Sequence, residues 1–194
     1  LVGAPHGREL LILKCKSSRP WGAPTNIDRT IATASADATH EVLQVRDLPL
    51  ADLQTLLARH ALDLERMEDD TPIPGSFWGD PEAGVIGSTV YVRSDTPVHS
   101  LLHEACHLIV LPPERRALVH TDASDSVLEE DATCYLQIVL ADELNGVGRE
   151  RLMADMDAWG YSFRLGSARA WFEHDAEDAR HWLLQRGLLP AHAA

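Results

Sequence analysis

Between positions 98 and 109, Val98, Leu101, Leu102, Ala105, Leu108 and Ile109 recur at three- and four-residue spacing, the interval that lines one face of an α-helix. Ser94-Asp95-Thr96-Pro97 precedes them and reads as a Thr or Asp N-cap with proline at the first helical position, and Pro112-Pro113 stops the run. A second long helix is predicted over 124–140, with Leu128, Ala132, Tyr135, Leu136 and Val139 on one face. Upstream, the leucines at 50, 53, 56, 57, 62 and 64 predict one amphipathic helix over 49–67, broken near Asp69-Asp70-Thr71-Pro72. Residues 145–148 mark a turn, 149–159 predict a helix, and 167–186 predict another, capped by Ser167 and ended by Gly187. Strands are expected at 10–15, at 41–45, and as a pair at 75–79 and 85–93 around a turn at 80–84, while 16–38 reads as loops. The pattern predicts an α+β fold with more helix than strand.

Length and composition narrow the class. At 194 residues, with 45% hydrophobic and 24% charged positions, the chain suits a single domain with a sizeable core. N-terminal strands and loops would occupy 1–48, the central core 73–145 and C-terminal helices 149–187. A formal charge of −13 argues against gripping nucleic acid or an anionic lipid surface, because both need a basic patch; it suits basic substrates, or solubility alone. No apolar run approaches membrane-spanning length. The three cysteines, Cys15, Cys106 and Cys134, are too few for a disulfide framework. Two fall on predicted helices, where free thiols imply a reducing, cytoplasmic setting. The chain opens on Leu1 rather than methionine, which is compatible with removal of a leader.

The chemistry concentrates at His103-Glu104-Ala105-Cys106-His107, which reads HExxH. On a helix, positions i and i+4 lie one above the other, so two imidazoles at that spacing can grip one zinc ion with the intervening glutamate beside a water. Cys106 should point away and pack as a small apolar side chain. His99 extends the row by one turn; it could support a ligand or line the cleft, but is expected rather at the surface near the helix start. A catalytic zinc site usually has three protein ligands, and the next helix offers carboxylates. Glu129 lies at the edge of the apolar face of 124–140 and is the better third ligand. Glu130 is the fallback, expected to point towards solvent. Donors able to steady an oxyanion would come from His120, Tyr135, Tyr161, His174 or His181. Trp159, Trp171, Phe172 and Trp182 gather aromatic surface in the last third, mostly as core.

These residues resemble the gluzincins, whose HExxH is followed by a glutamate on a later helix, and within them the small ImmA/IrrE-type members. The resemblance spans about residues 73–145: a strand at 85–93, the HExxH helix, and the run from Glu129 to Tyr135. It implies a zincin-like fold with a small, mostly antiparallel sheet, and makes 85–93 an edge strand beside the cleft. It implies zinc held by His103, His107 and Glu129, with Glu104 as catalytic base of a metallopeptidase acting on a peptide or protein substrate. Cys106 stands where the pattern has glycine. Thr133 stands where Asn or Asp is frequent, which leaves a ligand histidine's orienting partner unassigned. A different class is also open: a zincin-like regulatory or binding protein in which the metal is structural.

Overall fold

A computed structural model describes residues 40–77, 79–120 and 126–189. The strand expected at 10–15 and the loops expected at 16–38 lie outside the described residues. In chain order the elements are α1 (Leu50–Ala58), β1 (Asp63–Arg66), β2 (Gly84–Ile86), β3 (Thr89–Val92), α2 (Val98–Val110), α3 (Pro113–Arg116), α4 (Val127–Leu140), α5 (Gly148–Trp159), α6 (Ala168–His174) and α7 (Glu177–Gln185). The class is α+β and helix-rich, as the periodicity predicts.

The HExxH helix, α2, forms the centre. It packs on α4 and α5 on one side and on β2 and β3 on the other, and every residue of it except His103 is buried. Leu101, Leu102 and Leu108 are fully enclosed, each contributing about 1.5–3 kcal/mol through burial. Pro97, rather than Thr96 or Asp95, is the N-cap. Thr96 instead accepts the Arg93 N–H at 2.9 Å, which closes the turn from β3 into α2. A helix enclosed on all sides must find partners for its polar residues, and α2 carries His99, Ser100, Glu104 and His107 inside.

The sheet is mixed rather than mostly antiparallel. Its order is β1-β3-β2, with β1 parallel to β3 and β2 antiparallel to β3. The parallel strand was hidden in the leucine pattern at 49–67. Helix α1 stops at Ala58, Ala61 turns the chain at φ 56°, and Leu62 N–H reaches back to the Leu57 carbonyl. Leu62 and Leu64 then alternate as strand neighbours, buried and half-buried. Residues 85–93 likewise hold two strands rather than one, because Gly87 at φ 60° turns the chain with Ser88 between Ile86 and Thr89. Among the described residues, 75–79 supply only the Ser76–Gly84 bridge, so the expected pairing with 85–93 shrinks there to that contact. There a Cβ on Gly84 would stand 2.1 Å from the Pro74 carbonyl oxygen. Consequently β3 is central, and the edge on this side belongs to β2, partly covered by the Ile86–His120 bridge. At 41–45 the expected strand is a single bridge, Gln44 to Pro97, followed by a 3-10 turn at 45–47.

Helix α4 starts at Val127 with Ser126 Oγ accepting the Glu129 N–H at 3.1 Å. It packs on α2, α5 and α7, so it is buried on more faces than its modest amphipathicity suggests. The helix expected over 167–186 is broken at Asp175-Ala176 into α6 and α7: Ala176 is buried and Asp175 turns to an ion pair with Arg164. Ser167 caps α6 as expected. No described helix is long and apolar enough to cross a membrane.

Candidate metal centre

His103 and His107 stand one turn apart on α2 with their Nε2 atoms 3.0 Å from each other. Glu130, from α4, faces both: Oε1 lies 3.5 Å from His103 Nε2 and Oε2 lies 3.5 Å from His107 Nε2. Side-chain exposures of 13%, 9% and 8% put all three at an interior seam. The expectation for the third position is corrected here. Glu129 turns aside and meets Arg115 Nη1 at 3.3 Å, while Glu130, expected towards solvent, is 6% exposed. The reason is rotational. The stripe of α4 that faces α2 is Glu130, Thr133, Cys134 and Gln137, all buried, and one residue of offset turns a side chain by about 100°.

That stripe also supplies the orienting partners. His103 Nδ1–H donates to Gln137 Oε1 at 3.1 Å. Thr133 Oγ1 lies 3.4 Å from His107 Nδ1, so the residue read as a departure from the family pattern is itself the neighbour of the His107 imidazole. With Nδ1 committed to Gln137, His103 Nε2 faces His107 and Glu130. Burial lowers the His103 pKa, but Glu130, Glu104 and the Gln137 bond outweigh it and leave it above the ordinary histidine value. The neighbouring carboxylates therefore favour the protonated form of the His103 ring.

His103, Glu130 and Cys134 place one ligand atom each within 4.8 Å of one another and could hold a metal ion. Cys134 is disulfide-bonded rather than the free thiol expected, so His107 is the better third donor. The disulfide removes the thiol argument for a reducing compartment, while Cys106 is free and buried and packs among apolar neighbours as expected. A tetrahedral zinc ion bonded at 2.0–2.2 Å sets its ligand atoms roughly 3.3 Å apart. The two Nε2 atoms stand 3.0 Å apart and each has a different Glu130 oxygen at 3.5 Å, and a donor set of two imidazoles and one carboxylate suits such an ion. If the two imidazoles hold a zinc ion, Gln137→Leu or Thr133→Val, which free one of them to rotate, are each expected to weaken its binding by about 10–100-fold. Chelator competition measures this, and affinities equal to wild type would show that these bonds do not orient the ligands.

The wall beside the seam comes from α5, the loop after it and the turn before β2. Tyr161 sets its ring 5.9 Å from that of His103. Burial, then Glu82, Glu104 and Glu130, push its hydroxyl pKa well above the usual tyrosine value, so it stays a proton donor. Of the five candidate oxyanion donors, it is the one brought to the seam. Tyr135 stacks on Phe172 at 4.6 Å, His181 pairs with Gln185, His174 lies beside Glu173, and His120 is exposed on its bridge to Ile86. Glu82, which the sequence reading did not single out, accepts the Trp159 Nε1–H at 3.0 Å. Trp171 and Trp182 are core, whereas Trp159 belongs to this wall.

His99 departs most from its expectation. It is 1% exposed rather than superficial, its ring 5.2 Å from Trp159 and 5.3 Å from Tyr161. Desolvation, with a smaller push from His103, lowers its pKa to about 3. Unfolded chains protonate this imidazole below about pH 6.5 while the folded one refuses the proton. The folded state is therefore unburdened above pH 6.5 and loses about 1.4 kcal/mol per pH unit on acidification from there towards pH 3. His99→Leu in metal-free protein should flatten that limb, read by urea unfolding at pH 7, 5.5 and 4.5. Parallel profiles for the two proteins would contradict it.

Compared with known proteins, the chain matches no protein-family model, no curated protein and no solved structure.

Proposed function

We propose that the protein is a zinc-dependent metallopeptidase whose ion is held by His103, His107 and Glu130, with Glu104 as general base. The observation that carries this reading is the convergence of two Nε2 atoms and both Glu130 oxygens within a sequence that puts a glutamate next to His103. When bound, zinc supplies Lewis acidity, polarising a substrate carbonyl and bringing the pKa of a water towards 7. Glu104 is 9% exposed and takes the proton of the attacking water, then returns it to the leaving amine. Tyr161, kept protonated by its surroundings, donates to the oxygen that gains charge in the tetrahedral state. Gln137 and Thr133 hold the imidazoles in register and Trp159 helps to exclude water from the seam.

The burial of all three ligands favours a second reading, in which the metal is structural and partner recognition is the function. Glu104 tells against it, since a structural ion has no use for a base beside it. Cleavage of a peptide library by zinc-loaded protein, compared with Glu104→Gln, separates the two. The variant should keep its zinc and lose about 10²–10⁴-fold in rate. Wild-type protein that binds zinc yet cleaves nothing would sink the peptidase reading.

A further inference from the structure

The stripe of α4 that faces the motif helix carries one side chain to which the proposed chemistry gives no task. Cys134 follows Glu130 by four residues, so the two share a face of α4 as His103 and His107 share a face of α2. Its sulfur, a ring nitrogen of His103 and an oxygen of Glu130 all lie within 4.8 Å of one another, and Cys134 has no exposed surface. Thiolate sulfur is an ordinary zinc ligand, bound at about 2.3 Å. Tetrahedral geometry sets such a sulfur roughly 3.5 Å from ligand nitrogens and oxygens, leaving at most about 1.3 Å for the side chains to close.

A second and separate fact decides when that sulfur is available. Cys134 is disulfide-bonded. A sulfur in that state has no thiolate charge to offer a metal ion, whereas a released one does. The position is therefore idle in one oxidation state and a strong donor in the other.

We infer that Cys134 is a redox-dependent fourth ligand: once its disulfide is reduced, the thiolate joins His103, His107 and Glu130 on the ion and closes the position that hydrolysis needs. This rests on the peptidase reading and adds regulation to it. The co-reactant is a dithiol. It gives two electrons and two protons, its own sulfurs join in a disulfide, and the S–S bond of the protein opens to two thiols. As the bond from Cys134 Sγ to the ion forms, the thiol proton leaves to solvent. Three protein ligands leave the open position of a catalytic site, and four make the closed set of a structural one. Oxidation thus opens the site and reduction shuts it.

Full-length chain prepared with and without a trialkylphosphine, a reductant that unlike a dithiol does not clasp zinc, tests this, with thiol alkylation and mass measurement to establish each state. Loaded with cobalt(II), the reduced protein should show a thiolate-to-metal charge-transfer band that the oxidised protein lacks. Competition against a chromophoric chelator should give the reduced protein a zinc Kd lower by about tenfold or more, and peptide cleavage should fall at least as far. Cys134→Ser, which forms neither the disulfide nor a thiolate bond, should give one spectrum and one affinity under both conditions. A reduced wild-type protein without the band, or with the affinity of the oxidised one, overturns the inference and leaves the peptidase reading intact. If neither form cleaves any peptide, that reading fails alone, and the band and the affinity still decide whether Cys134 binds the ion.

Discussion

Glu130→Ala is expected to leave purified protein with only background zinc and no cleavage, while its neighbour Glu129→Ala keeps both. Glu130 is the only one of the pair whose oxygens face the imidazoles, at 3.5 Å each, and loss of one of three donors should weaken a zinc site by at least the 10–100-fold typical of losing an orienting bond alone. Glu129 contributes an ion pair to Arg115 at 3.3 Å, and a half-exposed pair of that kind is worth at most about 1 kcal/mol. Metal analysis after dialysis, with competition against a chromophoric chelator, reads the difference. Glu130→Ala removes a buried carboxylate and adds no bulk, so its circular dichroism should match that of metal-free wild type. Zinc retained by Glu130→Ala and lost by Glu129→Ala would reverse the assignment and, with it, the orientation of α4.

That contrast also shows where the sequence stops being readable. HExxH fixes its own geometry, because i and i+4 on any helix share a face, and so His103 and His107 were legible as a pair. The third donor depends on how a different helix is rotated. The apolar pattern of α4 pointed to a face through Leu128 and Val139, yet Leu128 is 38% exposed and Glu130 is enclosed. A helix packed on three neighbours has no single apolar face to announce its rotation. A signal was there in another form: Glu130, Thr133 and Gln137 repeat at three- and four-residue spacing, a polar stripe that makes sense only against other polar groups. His99 was misjudged for the converse reason, since one turn into a helix says nothing about the aromatic wall, brought by α5 and the loop after it, that covers it. Strand β1 was lost because leucines at 53, 56, 57, 62 and 64 satisfy helical spacing and only the last two alternate. The hairpin turn at Gly87-Ser88 was visible as a glycine but was absorbed into a run of β-formers.

Asp155→Ala should cost about 3–5 kcal/mol of stability, a large share of the 5–15 kcal/mol that holds a typical domain. Asp155 lies on α5 with no exposed surface and accepts from the Leu43 N–H at 3.1 Å and from Arg151 Nε at 2.8 Å, while also meeting His40. Truncation strands the Leu43 amide and leaves Arg151 without its carboxylate. The loss propagates to the motif helix, because the Leu43 carbonyl accepts the Val98 N–H at 2.9 Å at the start of α2, and Gln44 bridges Pro97 beside it. Asp155 thereby ties the incoming chain at 40–44 to α5 and seats the first turn of the helix that carries His103 and His107. Asp155→Asn keeps one acceptor oxygen and should fall between wild type and alanine. Urea unfolding of metal-free protein measures this, with a midpoint lowered by roughly 1–3 M for the alanine variant at ordinary slopes. A change under about 1 kcal/mol would mean that residues 40–44 contribute little to holding α2 in place. If the proposed destabilisation is found, zinc should recover part of it, because a ligand that binds only the folded state stabilises in proportion to the logarithm of its concentration over Kd.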